Sequence, residues 1–383
     1  KRSNVEVLGN TVHAGDGFGR LGAAAFFVHG GPPSTGSFSA RNNTVTGGET
    51  GILFADLFGP AQSSELREND VSGAAKIGIT ARLSAGTVVA NNPVHDNGTG
   101  TGGTGIEILH ARTPGVTETN LVTNTLGVGI EVIEPGQTYT VRGNTITGST
   151  AAGIEMVGGP GRLTVEANTV AINQGPGVAI RNGALAVVTS GSYTDNGDAG
   201  ILVFPGARAE ITQISATDNV GPGIDLFPKA VTPNPATKDA NQDLDWPEFV
   251  WDPASQQIIG TAAPLSRVEV YVVEGGPRIG NPNNGEGITY LGSVMTDAAG
   301  HFHYPGSGAL PCTPQQLLTL TDTVPGTNAF TSEFSPDFSC DADGDGIEDL
   351  FGLVRRGEIG SSASQSLACF RGSRRERWRS IAT

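Results

Sequence analysis

Long apolar runs are missing from this 383-residue chain. None approaches the roughly 18 residues a membrane helix needs, so no helical span is expected. Lysine is almost absent, at Lys1, Lys76, Lys229 and Lys238 alone, and the formal net charge is −15. Phosphate backbones are held by clustered Lys and Arg, so nucleic acid is excluded as the expected partner. Cysteine is scarce and late, and Cys312, Cys340 and Cys369 fit neither a zinc nor a CxxC redox spacing. Cys312 and Cys340 could bridge in an oxidising compartment, or all three could be independent thiols. A sustained 3.6-residue apolar period is lacking too, because Gly, Asn, Thr and Pro interrupt the chain every few residues. Helix is thereby excluded. The chain opens at Lys1-Arg2-Ser3 with no initiator Met and no apolar signal segment, as a mature form or a fragment would.

What the chain has in quantity is glycine, 56 residues, and with 37% hydrophobic residues it can still build a continuous core from many short strands joined by turns. Those strands repeat. A phrase of Gly, an aliphatic residue, any residue and usually another aliphatic begins at Gly51, Gly78, Gly105, Gly129, Gly153, Gly177, Gly200 and Gly223, with spacings of 27, 27, 24, 24, 24, 23 and 23. A second phrase, Asn-x-aliphatic, precedes most copies, at Asn43, Asn69, Asn120, Asn144 and Asn168. Asn92 stands further ahead of its copy because the loop after it is longer. Alternating small apolar residues precede each Asn, as in Tyr139 and Val141 or Leu163 and Val165.

Three short strands in about two dozen residues cannot bury an apolar face alone, but stacked turns of chain place each strand beside its copy in parallel. Aliphatic residues then form inward columns, and Asn at a sharp corner can bond its counterparts above and below. On these phrases the chain resembles the right-handed parallel β-helix repeat proteins of bacterial secreted and surface proteins, related in fold to pectate lyases and polygalacturonases. The resemblance covers residues 1 to about 340. It implies an all-β fold: a right-handed, single-stranded parallel β-helix of about 8–9 coils followed by a small β-sandwich. The expected divisions are a β-helix at 1–228, an acidic linker at 229–248, a β-sandwich at 249–338, a calcium-type loop at 339–350 and a basic tail at 351–383 without fixed structure.

From Phe249 the repeat gives way to alternating strands such as RVEVYVV at 267–273. The run GEGITYLGSVMTDAAGHF and the later TSEFSP resemble the Ig-like module that follows β-helix repeats in such proteins; it would either cap the open end of the solenoid or hang from it as a spacer. In DADGDGIED, Asp341, Asp343, Asp345 and Asp349 set hard oxygen ligands around a turn Gly, as a calcium loop requires, and resemble the thrombospondin type 3 repeat. An acidic surface linker is the plainer reading. A weaker calcium set is Asp239, Asn241, Asp243 and Asp245, which lacks the turn Gly. After Phe351 seven Arg stand against Glu358 and Glu376, and nothing there continues the family pattern.

The third position of the Gly-aliphatic-x-aliphatic phrase should point outward. Down the coils it reads Leu53, Thr80, Glu107, Glu131, Glu155, Ala179, Leu202 and Asp225. Three adjacent Glu therefore stack, and their repulsion favours a proton or a bound cation. Stacked carboxylates permit glycosidase-like or lyase-like chemistry, with His110, three residues beyond Glu107, as the one histidine worth testing. A solvated acidic stripe explains the same letters. Against catalysis, the coils have no Trp, and the Asp-Asp and Gly-His-Gly motifs of polygalacturonases and the Arg-x-Pro-x-x-Arg of pectate lyases are missing. The expectation is an extracellular or cell-surface bacterial protein, monomeric, that contacts a polysaccharide or another surface ligand by binding or display. The competing class is a polysaccharide lyase or glycoside hydrolase working along the Glu column.

Overall fold

The computed structural model describes residues 5–14, 24–29, 38–55, 64–82, 86–98, 102–232, 234, 240–252, 254–273, 286–306 and 317–339. Strands from successive coils assemble into three parallel sheets of nine strands each. Sheet A runs from Val5–Leu8 to Arg208–Thr212, sheet B from Thr11–Ala14 to Ser215–Thr217, and sheet C from Ala24–His29 to Ile224–Leu226. One coil shows the plan: Gly115–Glu118 lies in sheet A, Leu121–Thr123 in sheet B and Gly127–Ile133 in sheet C. No α-helix occurs among the described residues, and no helix there is long and apolar enough to cross a membrane.

The register puts identical letters on top of one another. In sheet C, Ile52, Ile79, Ile106, Ile130, Ile154, Val178, Ile201 and Ile224 pair in sequence, each 1% exposed or less. Such columns bury the apolar face that a lone coil would leave wet. The glycine opening each phrase is needed for the close approach of coils. A Cβ on Gly129 would come within 2.5 Å of Ile146 Cγ2 and 2.6 Å of the Gly153 carbonyl oxygen.

The Asn ladder stands at the corner between sheets A and B. Asn120 Oδ1 accepts from Asn92 N and Nδ2 at 3.0 and 2.8 Å, and Asn144 Oδ1 accepts from Asn120 N and Nδ2 at 2.9 Å each. The same pattern links Asn10, Asn43, Asn69 and Asn92 before it and reaches Asn168 after it. A second ladder, at the corner between sheets B and C, runs through Asn173, Asn196 and Asn219. Its signal is in the sequence, since these residues stand four positions ahead of Gly177, Gly200 and Gly223.

Beyond the coils lie two small antiparallel sheets. Glu248–Asp252, Gln257–Thr261 and His301–Tyr304 form one. The other holds Arg267–Val273, Gly287–Met295, Leu317–Val324 and two short strands, Phe330–Thr331 and Phe338–Ser339. Trp251, Ile258 and Phe302 of the first sheet share a buried core with Val270, Leu320 and Phe338 of the second.

This unit sits on the last coil, where parallel strands leave N–H and C=O groups without a next neighbour. Its side chains take their place. Glu333 Oε1 and Oε2 accept from Leu226 N and Thr232 N at 3.0 Å each, and Glu269 Oε2 accepts from Gln213 N at 3.0 Å. Thr331 Oγ1 accepts from Ile211 N at 2.8 Å, and Glu286 Oε1 ends the second Asn ladder by accepting from Asn219 Nδ2 at 2.8 Å. Tyr271 and Phe334 extend the solenoid core. Of the two expectations, cap or tethered spacer, the contacts show a cap. Arg162, the first residue of the strand Arg162–Glu166, bridges the two parts, pairing with Glu210 and donating to the Thr327 carbonyl.

Candidate functional site

Two columns run side by side on the outer face of sheet C. Glu107, Glu131 and Glu155 pair in register on adjacent strands, as the third position of the phrase requires. Two residues on, Arg82, Leu109, Ile133, Val157 and Arg181 make a parallel column. A carboxylate ladder is thus bordered by an aliphatic stripe whose two ends are cationic. Both columns are half-buried along the ladder.

Burial pushes the carboxyls of all three Glu above the usual carboxylate range. Neighbours then modulate each one. Glu131 adds to the rise at Glu107 while Thr80 and Arg82 oppose it. Thr104 Oγ1 donates to Glu131 Oε2 at 3.2 Å and pulls that carboxyl down. At Glu155 the opposing charge is Arg181, whose Nε lies 2.6 Å from Glu155 Oε1. The Arg181 guanidinium also lies 3.9 Å over the Phe204 ring, and Phe204 stacks on Phe227 with centroids 6.1 Å apart. Cation, aromatic face and carboxylate therefore meet at one end of the stripe.

The three Glu share one column as their spacing requires, but pointing outward along that column does not mean exposure. Thr80, Ala179, Leu202 and Asp225 are in fact buried. For Asp225 the reason is the chain leaving the last coil, which folds back so that Ala230 N donates to Asp225 Oδ2 at 3.3 Å. Asp225 Oδ1 has no hydrogen-bond partner, and burial raises this carboxyl to about 6. His110 does not join the ladder. It stands at the corner after sheet C with φ +51 and pairs through Nδ1 with Glu134 at 3.2 Å. The lack of Trp in the coils does not leave this face without aromatics: Tyr139 and Tyr193 are core residues, whereas Phe204 and Phe227 are half-buried on the face.

Among the described residues no set of three or more His, Cys, Asp or Glu is placed to hold a metal ion. Asp341, Asp343, Asp345 and Asp349 lie outside the described residues, as do Asp239 and the three cysteines. Asn241 is buried, and its amide is engaged with the backbone: Oδ1 accepts from Ala209 N at 2.7 Å, and Nδ2 donates to the Ala209 and Thr331 carbonyls.

No curated protein matches the chain in sequence. The periplasmic alginate epimerase AlgG is similar over 50% of this chain and 47% of its own, with 17% identity and a TM-score of 0.42. The chain thus spans about half the length of that structure. The enzymatically active domain of tailspike protein 2 of bacteriophage CBA120 is similar over 85% of this chain and 72% of its own, at 10% identity and a TM-score of 0.32. A tailspike protein, gp49, of Acinetobacter baumannii bacteriophage Fri1, a capsular polysaccharide depolymerase, covers 91% of this chain and 71% of its own at 10% identity and a TM-score of 0.22. Similarity this low leaves the chemistry to be read from this chain's own residues. The family described as right handed beta helix region matches residues 34–170 and 129–239, together more than half of the chain. With its three parallel nine-stranded sheets, this chain belongs to the right-handed β-helix family.

Proposed function

We infer that the protein is an extracellular or cell-surface binding protein that lays a linear glycan along the outer face of sheet C. The observation that carries this reading is the pairing of two unlike columns in register, Glu107–Glu131–Glu155 beside Leu109–Ile133–Val157. A sugar polymer presents the matching pair of edges. Its hydroxyls donate to carboxylates, and its C–H faces cover aliphatic and aromatic side chains. Arg82 and Arg181 bound the track, and the Phe204 ring extends its apolar edge. With an acidic ladder and a net charge of −15, neutral polymers should bind ahead of polyuronates at neutral pH.

A second reading, a carbohydrate-active enzyme, is favoured by one observation: three adjacent carboxyls hold a proton more tightly than an ordinary carboxylate, as a general acid must. One experiment separates the two. Immobilised neutral polysaccharides and polyuronates are tested for retention of the protein, and the same polymers are assayed for new reducing ends and for unsaturated product by absorbance, with and without Ca²⁺. Binding without product is expected, weakened about tenfold by Glu131→Gln through loss of charged acceptors. Product formation abolished by Glu131→Gln would establish the enzyme instead, and neither retention nor product with any of the polymers would refute both.

A further inference from the structure

The first Asn ladder stops at Asn168. In the next coil its place is held by Gly191, and in the one after by Ile214, as the pairing of Thr169 with Ser192 and of Ser192 with Ser215 fixes. Gly191 offers no Oδ1 to the Asn168 N–H. The ring of Tyr193 fills the vacated space so closely that a Cβ on Gly191 would collide with the Tyr193 hydroxyl. That hydroxyl is fully buried and has no hydrogen-bond partner.

At this break in the ladder the outer surface opens into a cavity of about 420 Å³, lined by residues 167–169, 190–192 and 213–215 of three successive coils and by residues 288–290 of the capping unit. Its size suits one or two sugar rings. Its chemistry is restricted: none of its lining residues is charged, and hydroxyls come from Thr169, Ser190, Ser192, Ser215, Thr289 and Tyr290. Tyr290 supplies the single aromatic ring, braced edge-on against Tyr271 with centroids 5.6 Å apart. A charged ligand would lose its hydration here without gaining a counter-charge. An uncharged polyol exchanges water for hydroxyl partners and can set a C–H face on the tyrosine.

We propose that this junction is a binding site for one uncharged sugar residue, such as the end or a branch of a glycan. It shares no residue with the face of sheet C and stands whether or not that face binds polymer. The stacked coils supply three copies of one hydroxyl column, Thr169, Ser192 and Ser215, and the capping unit supplies the wall that turns a flat corner into a recess.

The test is saturation-transfer NMR on the intact chain with methyl glucoside, methyl galactoside, methyl mannoside and N-acetylglucosamine, and with glucuronate as the charged control. Saturation should reach at least one neutral sugar and not glucuronate. It should fall about tenfold in the Ser192→Ala/Ser215→Ala double variant, which removes two hydroxyl partners with little risk to folding, and also in Tyr290→Ala. Thr123→Ala, on the same sheet but two coils away from the cavity, should leave the signal unchanged. The proposal is overturned if no neutral sugar receives saturation, if glucuronate does so equally, if the double serine variant matches the unaltered protein, or if Thr123→Ala removes the signal.

Discussion

Replacing Asn120 by alanine would strike the middle of the solenoid at four hydrogen bonds. Asn120 Oδ1 takes the N–H and the amide of Asn92, and Asn120 Nδ2 supplies the Val89 carbonyl at 2.9 Å and Asn144 Oδ1 at 2.9 Å. Asn92, Asn120 and Asn144 are each 2% exposed or less, so water cannot replace what is lost. At about 1 kcal/mol net for each bond, and more where a buried partner is stranded, the cost is about 4 kcal/mol. In a stacked array the damage is local to neighbouring coils. The coils before Asn120 should therefore melt ahead of those held by the capping unit. Urea unfolding would be followed by far-ultraviolet circular dichroism for all strands and by tryptophan fluorescence, to which Trp246 and Trp251 in the region beyond the coils contribute. The dichroism midpoint should fall and its transition broaden, while the fluorescence transition moves much less. Asn120→Asp refines the test, because it keeps the acceptor and replaces the donor with a second acceptor facing Val89 and Asn144. Its folded-state pKa should be raised, so its deficit is full at neutral pH and shrinks as pH falls through that pKa. A shift of less than about 1 kcal/mol for the alanine variant would refute the view that the ladder is a principal stabiliser.

Other perturbations follow from the same coordinates. Asp225 and Asp322 are both raised to about 6 by burial, so between the ordinary aspartate range and pH 6 the folded chain holds more protons than the unfolded one and loses stability as pH rises. Asp225→Asn should remove part of that slope and gain up to about 3 kcal/mol at pH 8, measured as thermal midpoints across pH; a variant no more stable than the parent at pH 8 would contradict it. Glu333→Ala strands the N–H groups of Leu226 and Thr232, and their amide hydrogen exchange should accelerate about tenfold while exchange at Ile130 is unchanged; equal acceleration at both would mean the cap and the coils unfold together. The Asp341, Asp343, Asp345 and Asp349 pattern is expected to bind one calcium ion by titration calorimetry, with the heat lost in Asp343→Ala, and absence of heat in the unaltered chain would leave an acidic linker.

The coils were readable from the sequence because parallel stacking converts spacing into position. Gly105, Gly129 and Gly153 had to be small for one steric reason, and Glu107, Glu131 and Glu155 had to share a column once they shared a phase. The ladder through Asn120 was legible for the same cause. The cap was legible only as one of two alternatives and its contacts not at all, because Glu269, Glu286 and Glu333 sit at unrelated spacings and act only where a fold without periodicity brings them to the last coil. The burial of Asp225 escaped too, since it depends on where the chain turns after Phe227. The cavity at Gly191 was the least visible, being marked by a missing side chain in one coil and walled by residues a hundred positions away.

The three buried glutamates bind groups that only the terminal lap leaves bare, whereas inner laps present much the same steps to those above and below. The molecule therefore resembles a ruler with a fitted end-stop. Duplicating residues 129–152 should lengthen it by one rung without disturbing that fitting, while a copy added after Leu226 would part the stop from its seat. At this end, growth of such a scaffold has to proceed from within.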